Sequence, residues 1–192
     1  MNNTRELFER TGKSVPVGDH EEHSEMQSVQ NLETIINEGL RVALLEETPD
    51  QSLGVLLEHL GKALNGERTY IFEQNASGGD DNTYEWVAEG VQPEKENLQD
   101  VPPEVCASWY QKFRVCRHIV IEHLEDIQET DPLQYENLKR QNIHSLVVVP
   151  LYDGNKIIGF YGVDNPPVKS IEYATNMLQT AAYFIVSSLK RR

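Results

Sequence analysis

Two cysteines and two histidines in the middle of the chain are the residues whose types could do chemistry. Cys106, Cys116, His118 and His123 are of the types that bind zinc, but their spacing, C-x9-C-x-H-x4-H, lacks the close cysteine pair of most structural zinc sites. A nucleophilic thiolate would need a lowered pKa and a second thiol within disulfide reach. Because cysteine is among the most often buried residue types, we expect two half-buried thiols and no metal or other cofactor.

Acidic residues supply two further candidates. The segment 122–131 carries five acids and no lysine or arginine, a composition that can attract a hard cation, although a solvated acidic face is what we expect. The run Ser77-Gly-Gly-Asp-Asp81 is similar to the GGDEF signature of diguanylate cyclases, where glycines admit phosphate and acids hold magnesium. That chemistry needs a separate domain, whereas here the run lies within the polar stretch 75–82, which predicts a turn.

Charge and composition exclude several classes of function. The chain of 192 residues carries 17 Lys and Arg against 31 Asp and Glu, a formal net charge of −14. Sequence-independent binding of nucleic acid or anionic lipid needs clustered cations, so we expect neither partner. No apolar run reaches the roughly 18 residues of a membrane-spanning helix, and residues 1–13 lack the apolar stretch of a secretory signal. We therefore expect a cytoplasmic protein without membrane insertion by this segment.

The length is that of one domain with a hydrophobic core plus a tail. Residues 1–27 have only scattered apolar positions, so we predict a flexible polar leader there and the folded domain over 28–192. Apolar residues at helical spacing predict a first helix over 32–44 and a closing helix over 171–189. Thr48-Pro49-Asp50-Gln51 has the residues of a capping box and Asn65-Gly66 those of a C-terminal stop, which together predict a second helix between them.

Between these helices the pattern predicts strands around short helices. Alternating β-branched and aromatic residues indicate strands over 68–73, 83–88, 118–121, 145–151 and 156–163, the last two joined by a tight turn at Asp153-Gly154. Pro102-Pro103 and Asp131-Pro132 each open a short predicted helix. Helices at both ends and strands between them predict an α+β fold with a central antiparallel sheet of five to six strands.

Three stretches occur in a recognisable order. They are Leu60-Gly-Lys-Ala-Leu64 running into Gly66-Glu-Arg-Thr-Tyr-Ile-Phe72, then Ser145-Leu-Val-Val-Val-Pro-Leu151, then Ile158-Gly-Phe-Tyr-Gly-Val-Asp164. With them, the chain from about residue 31 resembles the GAF domain family, the small-molecule-sensing modules of signalling proteins. Asn82-Thr-Tyr-Glu-Trp86 and Val163-Asp-Asn-Pro166 are similar to a bacterial subgroup often found ahead of diguanylate cyclase or histidine kinase modules.

The resemblance implies a layout and a function. The first, second and last helices would lie on one face of the sheet, and a ligand pocket on the other face would be roofed by residues 90–131. Members commonly form dimers through the helical face and pass the signal along the terminal helix. We therefore expect an intracellular sensory domain that binds an unidentified small molecule, forms a homodimer and relays the signal to an output module, as the N-terminal part of a longer protein.

The family includes a thiol enzyme, the free methionine-R-sulfoxide reductase, whose reactive cysteine lies shortly before the valine-rich strand. Residues 138–144 contain no cysteine, and the acids of its substrate site fall on Leu146 and Gly162, with only Asp164 retained. We therefore do not expect an enzyme, and a reductase-like thiol enzyme is the least favoured of three hypotheses. Bilin-binding relatives carry a cysteine typically followed by histidine, whereas Cys116 is followed by Arg117, and the Asn-Lys…Phe…Asp-Glu signature of cyclic-nucleotide-binding relatives is missing.

Aromatic residues are the better candidates for the pocket, although plain core packing is the alternative for each of them. The predicted ligand-binding residues are Tyr70, Phe72, Trp86, Trp109, His118, His144, Tyr161 and Asp164. The second hypothesis is a connector that dimerises through the helices 32–44 and 171–189 without binding a ligand.

Overall fold

The computed structural model describes residues 34–115 and 118–192. In the described part, five antiparallel strands form one sheet in the order β2-β1-β5-β4-β3. The strands are β1 (Arg68–Gln74), β2 (Asp80–Val87), β3 (Ile119–Ile121), β4 (Leu146–Asp153) and β5 (Lys156–Asp164). The helices are α1 (34–44), α2 (Pro49–Leu64), α3 (Pro103–Val115), α4 (Pro132–Arg140) and α5 (Ile171–Leu189). The predicted α+β fold is confirmed.

Helix α2 begins and ends where its sequence signals predicted. The Thr48 hydroxyl accepts from the Gln51 backbone N–H at 3.2 Å, and the Gln51 side chain accepts from the Thr48 N–H at 3.1 Å, which completes a capping box. At the other end Asn65 takes a left-handed conformation with φ 49°, and the Gly66 N–H donates to the Gly61 carbonyl. Local residues alone therefore fix both ends of this helix.

One face of the sheet is covered by α1, α2 and α5. Because side chains alternate along a strand, Ile71, Val147 and Val163 point to this face and pack against leucines of α2 and the apolar stripe of α5. Residues such as Leu56, Ala181 and Ile185 are almost fully buried there. This arrangement is the helical layer that the family resemblance implied.

The opposite face is covered by the segment between β2 and β3 and by α4. Phe72, Val148 and Phe160 point to this side and form a second apolar cluster with Trp109 of α3 and Leu138 of α4. The chain thus has two cores separated by the sheet, and the second one encloses the candidate site.

Two sequence predictions need comment. Residues 80–82, predicted as part of a turn, instead begin β2, because Asp80 pairs with both Gln74 and Val101 and is 1% exposed. The predicted leader over 1–27 lies outside the described residues. Within the described ranges, no helix is both long and apolar enough to cross a membrane.

Candidate functional site

A small cavity lies between the sheet and the α3–α4 cover. Its free volume is about 40 Å³, enough for about three water molecules and well below the roughly 300–1,000 Å³ of a typical ligand pocket. Strands β1, β2 and β5 form the floor, because Arg68, Tyr70 and Phe72 alternate onto one face of β1. The open space is therefore narrow, although its lining is continuous with the second core.

Phe160 of β5 is the centre of the apolar wall. Its ring stacks on Phe72 at 4.8 Å between centroids and meets Trp109 edge-on at 5.5 Å. Tyr110 and Phe113 of α3 also contact it, at 6.1 and 6.0 Å. These rings attach the roof helix α3 to the floor of the sheet, so the volume of the cavity depends on how closely α3 is held.

One end of the cavity holds a buried charge pair. Arg68 Nε donates to Asp164 Oδ2 at 3.1 Å, Tyr70 donates its hydroxyl to Oδ1 at 2.9 Å, and both charged residues are at most 3% exposed. Burial raises the pKa of Asp164 to about 7, while the Arg68 charge and the Tyr70 hydrogen bond oppose the rise. Arg68 also donates to the Gln141 carbonyl at 2.9 Å. The charged groups at this end of the cavity therefore already have partners within the protein.

The other end is built around Asp80 and Asn82 of β2. Tyr110 donates its hydroxyl to Asp80 at 2.5 Å, and burial raises the pKa of this carboxyl and, together with the Asp80 charge, that of the neighbouring Cys106 thiol. Neither amide atom of Asn82 nor the indole nitrogen of Trp109 has a hydrogen-bond partner within the described part of the chain. Unpartnered buried polar groups are rare because each costs free energy.

Four of the eight predicted site residues line the cavity: Tyr70, Phe72, Trp109 and Asp164. The other four predicted residues do not line the cavity, contrary to the expectation from the sequence. Tyr161 points to the helical face, where its hydroxyl donates to the Leu178 carbonyl, and the Trp86 ring packs over Gly61 of α2. His118 pairs with Gln179 of α5 at 2.9 Å, and the side chain of His144 is exposed.

Other lining residues were not predicted from the sequence. Arg68 could have been, because it lies two residues before Tyr70 on the same strand and so shares its face. Asn82 and Glu85 could not have been predicted, because β2 carries a bulge opposite Ile71 and Phe72 of β1. This bulge interrupts the alternation of side chains along β2. Cys106 lines the cavity and is 5% exposed, so it is more deeply buried than the half-buried thiol that the sequence predicted.

The thiol, metal and acidic candidates named from the sequence have the following surroundings in the structure. The Cys106 thiol is buried with a raised pKa, the opposite of an activated thiolate, and Cys116 lies outside the described residues. Across residues 34–115 and 118–192 no three His, Cys, Asp or Glu side chains are grouped to hold a metal ion. The acids of 122–131 are largely exposed, except that Asp131 caps α4 by accepting from the Gln134 N–H.

Comparison with known proteins identifies the family. The GAF domain model matches residues 48–189, and the chain belongs to that family. Methanogenesis regulatory histidine kinase FilI of Methanothrix harundinacea (strain 6Ac) is 28% identical over 121 residues. The match covers 60% of this chain but only 13% of the length of the kinase.

Solved structures share the fold. The phycoerythrobilin-bound GAF domain from a cyanobacterial phytochrome superposes with a TM-score of 0.63 at 14% identity, covering 84% of this chain and 98% of that one. The chromophore-binding domain of a bacteriophytochrome from R. palustris gives a TM-score of 0.65 at 10% identity over 85% of this chain and 62% of that one. At such identities the likeness concerns the fold alone.

Proposed function

We propose that this chain is a non-catalytic sensory domain that binds a small molecule and relays its binding through α5 to an output module in a longer signalling protein. The observation that carries the proposal is the cavity between the sheet and the α3–α4 cover, in which the amide of Asn82 and the indole N–H of Trp109 have no partner among the described residues. Membership of the GAF family and the similarity to a much longer histidine kinase support the regulatory role.

A physical route from cavity to α5 runs along β1. Phe72 faces the cavity, and the next residue, Glu73, receives both terminal nitrogens of Arg192 at 2.8 and 3.0 Å, just beyond α5. Because both positions lie on one strand, a shift of the Phe72 backbone also moves the carboxylate that holds Arg192. If β1 can lie in two slightly different places, a ligand that binds the protein more tightly in one of them would shift β1 and thus change the pose of α5.

The cavity volume limits the ligand. About 40 Å³ is too small for a bilin, the ligand named for several structural neighbours, unless α3 moves away from the sheet. The raised pKa of the buried Cys106 thiol disfavours thiolate chemistry at that residue. We therefore propose that the protein, with α3 placed as in this structure, binds a compact ligand.

The test is a thermal-shift screen of the purified chain against a panel of metabolites, since a ligand of the folded state raises the Tm with concentration. The matched control uses α3, where Val105→Phe fills the cavity and Ala107→Phe adds the same ring at an exposed position. We expect a compound that shifts the wild type and Ala107→Phe but not Val105→Phe. No shift by any compound, or an equal shift in Val105→Phe, would refute the proposal.

The second candidate is a dimeric connector without a ligand. Exposed apolar side chains on the helical layer favour it, since Tyr183 of α5 is 84% exposed and Leu44 of α1 is 63% exposed. Light scattering separates the two functions in part, because a strict monomer at high concentration contradicts the connector. Loss of a dimer in Tyr183→Glu with no ligand found in the screen would favour it.

A further inference from the structure

The side chain of Asn82 is the most unusual polar group in the described part of the chain. It is 0% exposed and lines the cavity, yet both its oxygen and its nitrogen lack partners among residues 34–115 and 118–192. Its backbone groups are satisfied, because its N–H donates to the Leu98 carbonyl at 2.9 Å and its carbonyl accepts from the Gln99 side chain at 2.8 Å. Of the polar groups of Asn82, therefore, only the side-chain amide is free to bind a ligand in the cavity.

Trp109 of α3 supplies a third group to the same cavity. Its indole N–H is buried without a partner in the described ranges, and its residue is 5% exposed. Together the two side chains offer N–H donors on both residues and one acceptor oxygen on Asn82. Whichever way the Asn82 amide is turned, it presents one donor side and one acceptor side to a ligand.

The charged groups that line the cavity are already engaged. Arg68 and Asp164 pair with each other, and the Glu85 carboxylate accepts from the backbone N–H groups of Glu94 and Lys95 at 3.0 and 3.1 Å. Two residues before Asn82 on β2, one oxygen of the Asp80 carboxylate accepts from the Tyr110 hydroxyl, whereas the other has no partner among the described residues. An anionic ligand would thus be buried beside carboxylates without a free cation, which is costly. Burial also raises the pKa of Asp80, which disfavours the negative charge that would pair with a cationic ligand.

We propose that the Asn82 end of the cavity binds a compact neutral ligand through an amide-type group, a carbonyl beside an N–H. The Asn82 amide pairs with both groups, the Trp109 N–H donates to the carbonyl, and the apolar part of the ligand lies against Phe160. The site rests on the proposed sensory function and names the chemical class of its ligand. Its size follows from the cavity of about 40 Å³.

Four probes of the same branched four-atom shape test this directly: acetamide, acetate, acetone and isopropylammonium. The readout is the indole N–H signal of each tryptophan in a nitrogen–proton NMR spectrum of the full chain. The chain has two tryptophans, Trp86 and Trp109, so two such signals are expected. Trp86 is the internal control because it packs on the helical face. We expect acetamide to shift the Trp109 signal saturably, with Trp86 unchanged and the other probes at least about tenfold weaker, since each leaves a buried polar group unpaired.

Two variants separate recognition from structure. Asn82→Leu keeps the approximate shape and is expected to abolish acetamide binding, whereas Asn176→Leu, the same change at an exposed position of α5, is expected to retain it. Asn82→Leu is also expected to raise the Tm of the free protein by about 2–4 °C, because two unpartnered polar atoms leave the core. A lowered Tm would mean that the amide has a structural partner and would overturn the premise.

Other results distinguish this inference from the proposed function. Equal binding of acetone, acetate or isopropylammonium, binding that survives in Asn82→Leu, or no acetamide binding at all would overturn the amide site. The sensory function would still stand if the metabolite screen gave a ligand that Val105→Phe excludes. A screen without any ligand would refute the function whatever the probes show.

Discussion

The close approach of α2 to β2 at Gly61 gives a sharp test of which face of the sheet Trp86 occupies. A β-carbon at Gly61 would overlap the Trp86 ring atoms Cζ3 and Cε3 and lie 3.1 Å from Cη2. Gly54, about two turns earlier on α2, is exposed and has nothing within 4 Å of the same added carbon. The two glycines therefore form a matched pair for Gly→Ala substitution.

The expected magnitudes follow from two opposing contributions. Alanine in place of glycine favours a helix by about 1 kcal/mol, so Gly54→Ala should raise the free energy of unfolding by about that amount. At Gly61 the same gain is opposed by overpacking, which costs about 1–3 kcal/mol and is near the upper end here because a ring must move. We expect Gly61→Ala to be less stable than the wild type by about 1–2 kcal/mol.

Urea unfolding followed by circular dichroism measures both variants. The Trp86→Leu substitution removes the clash, so in that background Gly61→Ala should become neutral or stabilising, a coupling of at least about 1 kcal/mol between the two positions. If Gly61→Ala instead stabilises as Gly54→Ala does, the Trp86 ring does not pack on α2. Its assignment to the helical face would then be wrong.

Three further predictions concern other contacts. Burial raises the pKa of Asp164 to about 7, above the ordinary value of 3.8, so the folded state favours the protonated carboxyl. The wild type should therefore lose stability relative to Asp164→Asn as pH rises from about 4 to about 7. The loss is at most ~1.4 kcal/mol per pH unit. Denaturation at several pH values measures that difference, and a constant or opposite trend would contradict it. Cys106 should react with iodoacetamide at pH 8 far more slowly in the folded chain than in urea, as followed by peptide mass spectrometry, because burial raises its pKa; rapid labelling would show an accessible thiolate. Thr48→Ala should lower the free energy of unfolding by about 1 kcal/mol, and an unchanged urea midpoint would mean that the capping box contributes nothing.

Local signals in the sequence predicted most of the fold. Thr48 and Asn65 bound α2 as expected, and the predicted closing helix over 171–189 matches α5. The Asp153-Gly154 turn joins β4 and β5, with Gly154 at φ 60°. These features depend on residues within a few positions of one another, which is why the sequence alone was sufficient.

The site was predicted less completely, for two physical reasons. Tyr161 and Asp164 lie three residues apart on β5, so strict alternation places their side chains on opposite faces of the sheet, and only Asp164 lines the cavity. Asp80 and Asn82 were hidden in a polar run that also suits a turn. Their burial depends on α3, whose Tyr110 lies 30 residues from Asp80, and no local pattern reports such a contact.

The central claim, that a ligand in the cavity alters α5, is tested most directly by hydrogen–deuterium exchange of the full chain. The exchange is compared with and without the metabolite that raises the Tm most in the screen. We expect slower exchange in α3 and at the start of β2, together with a change at the end of α5 near Arg192. Protection confined to α1 and α2, or protection of α3 with no change in α5, would contradict the account.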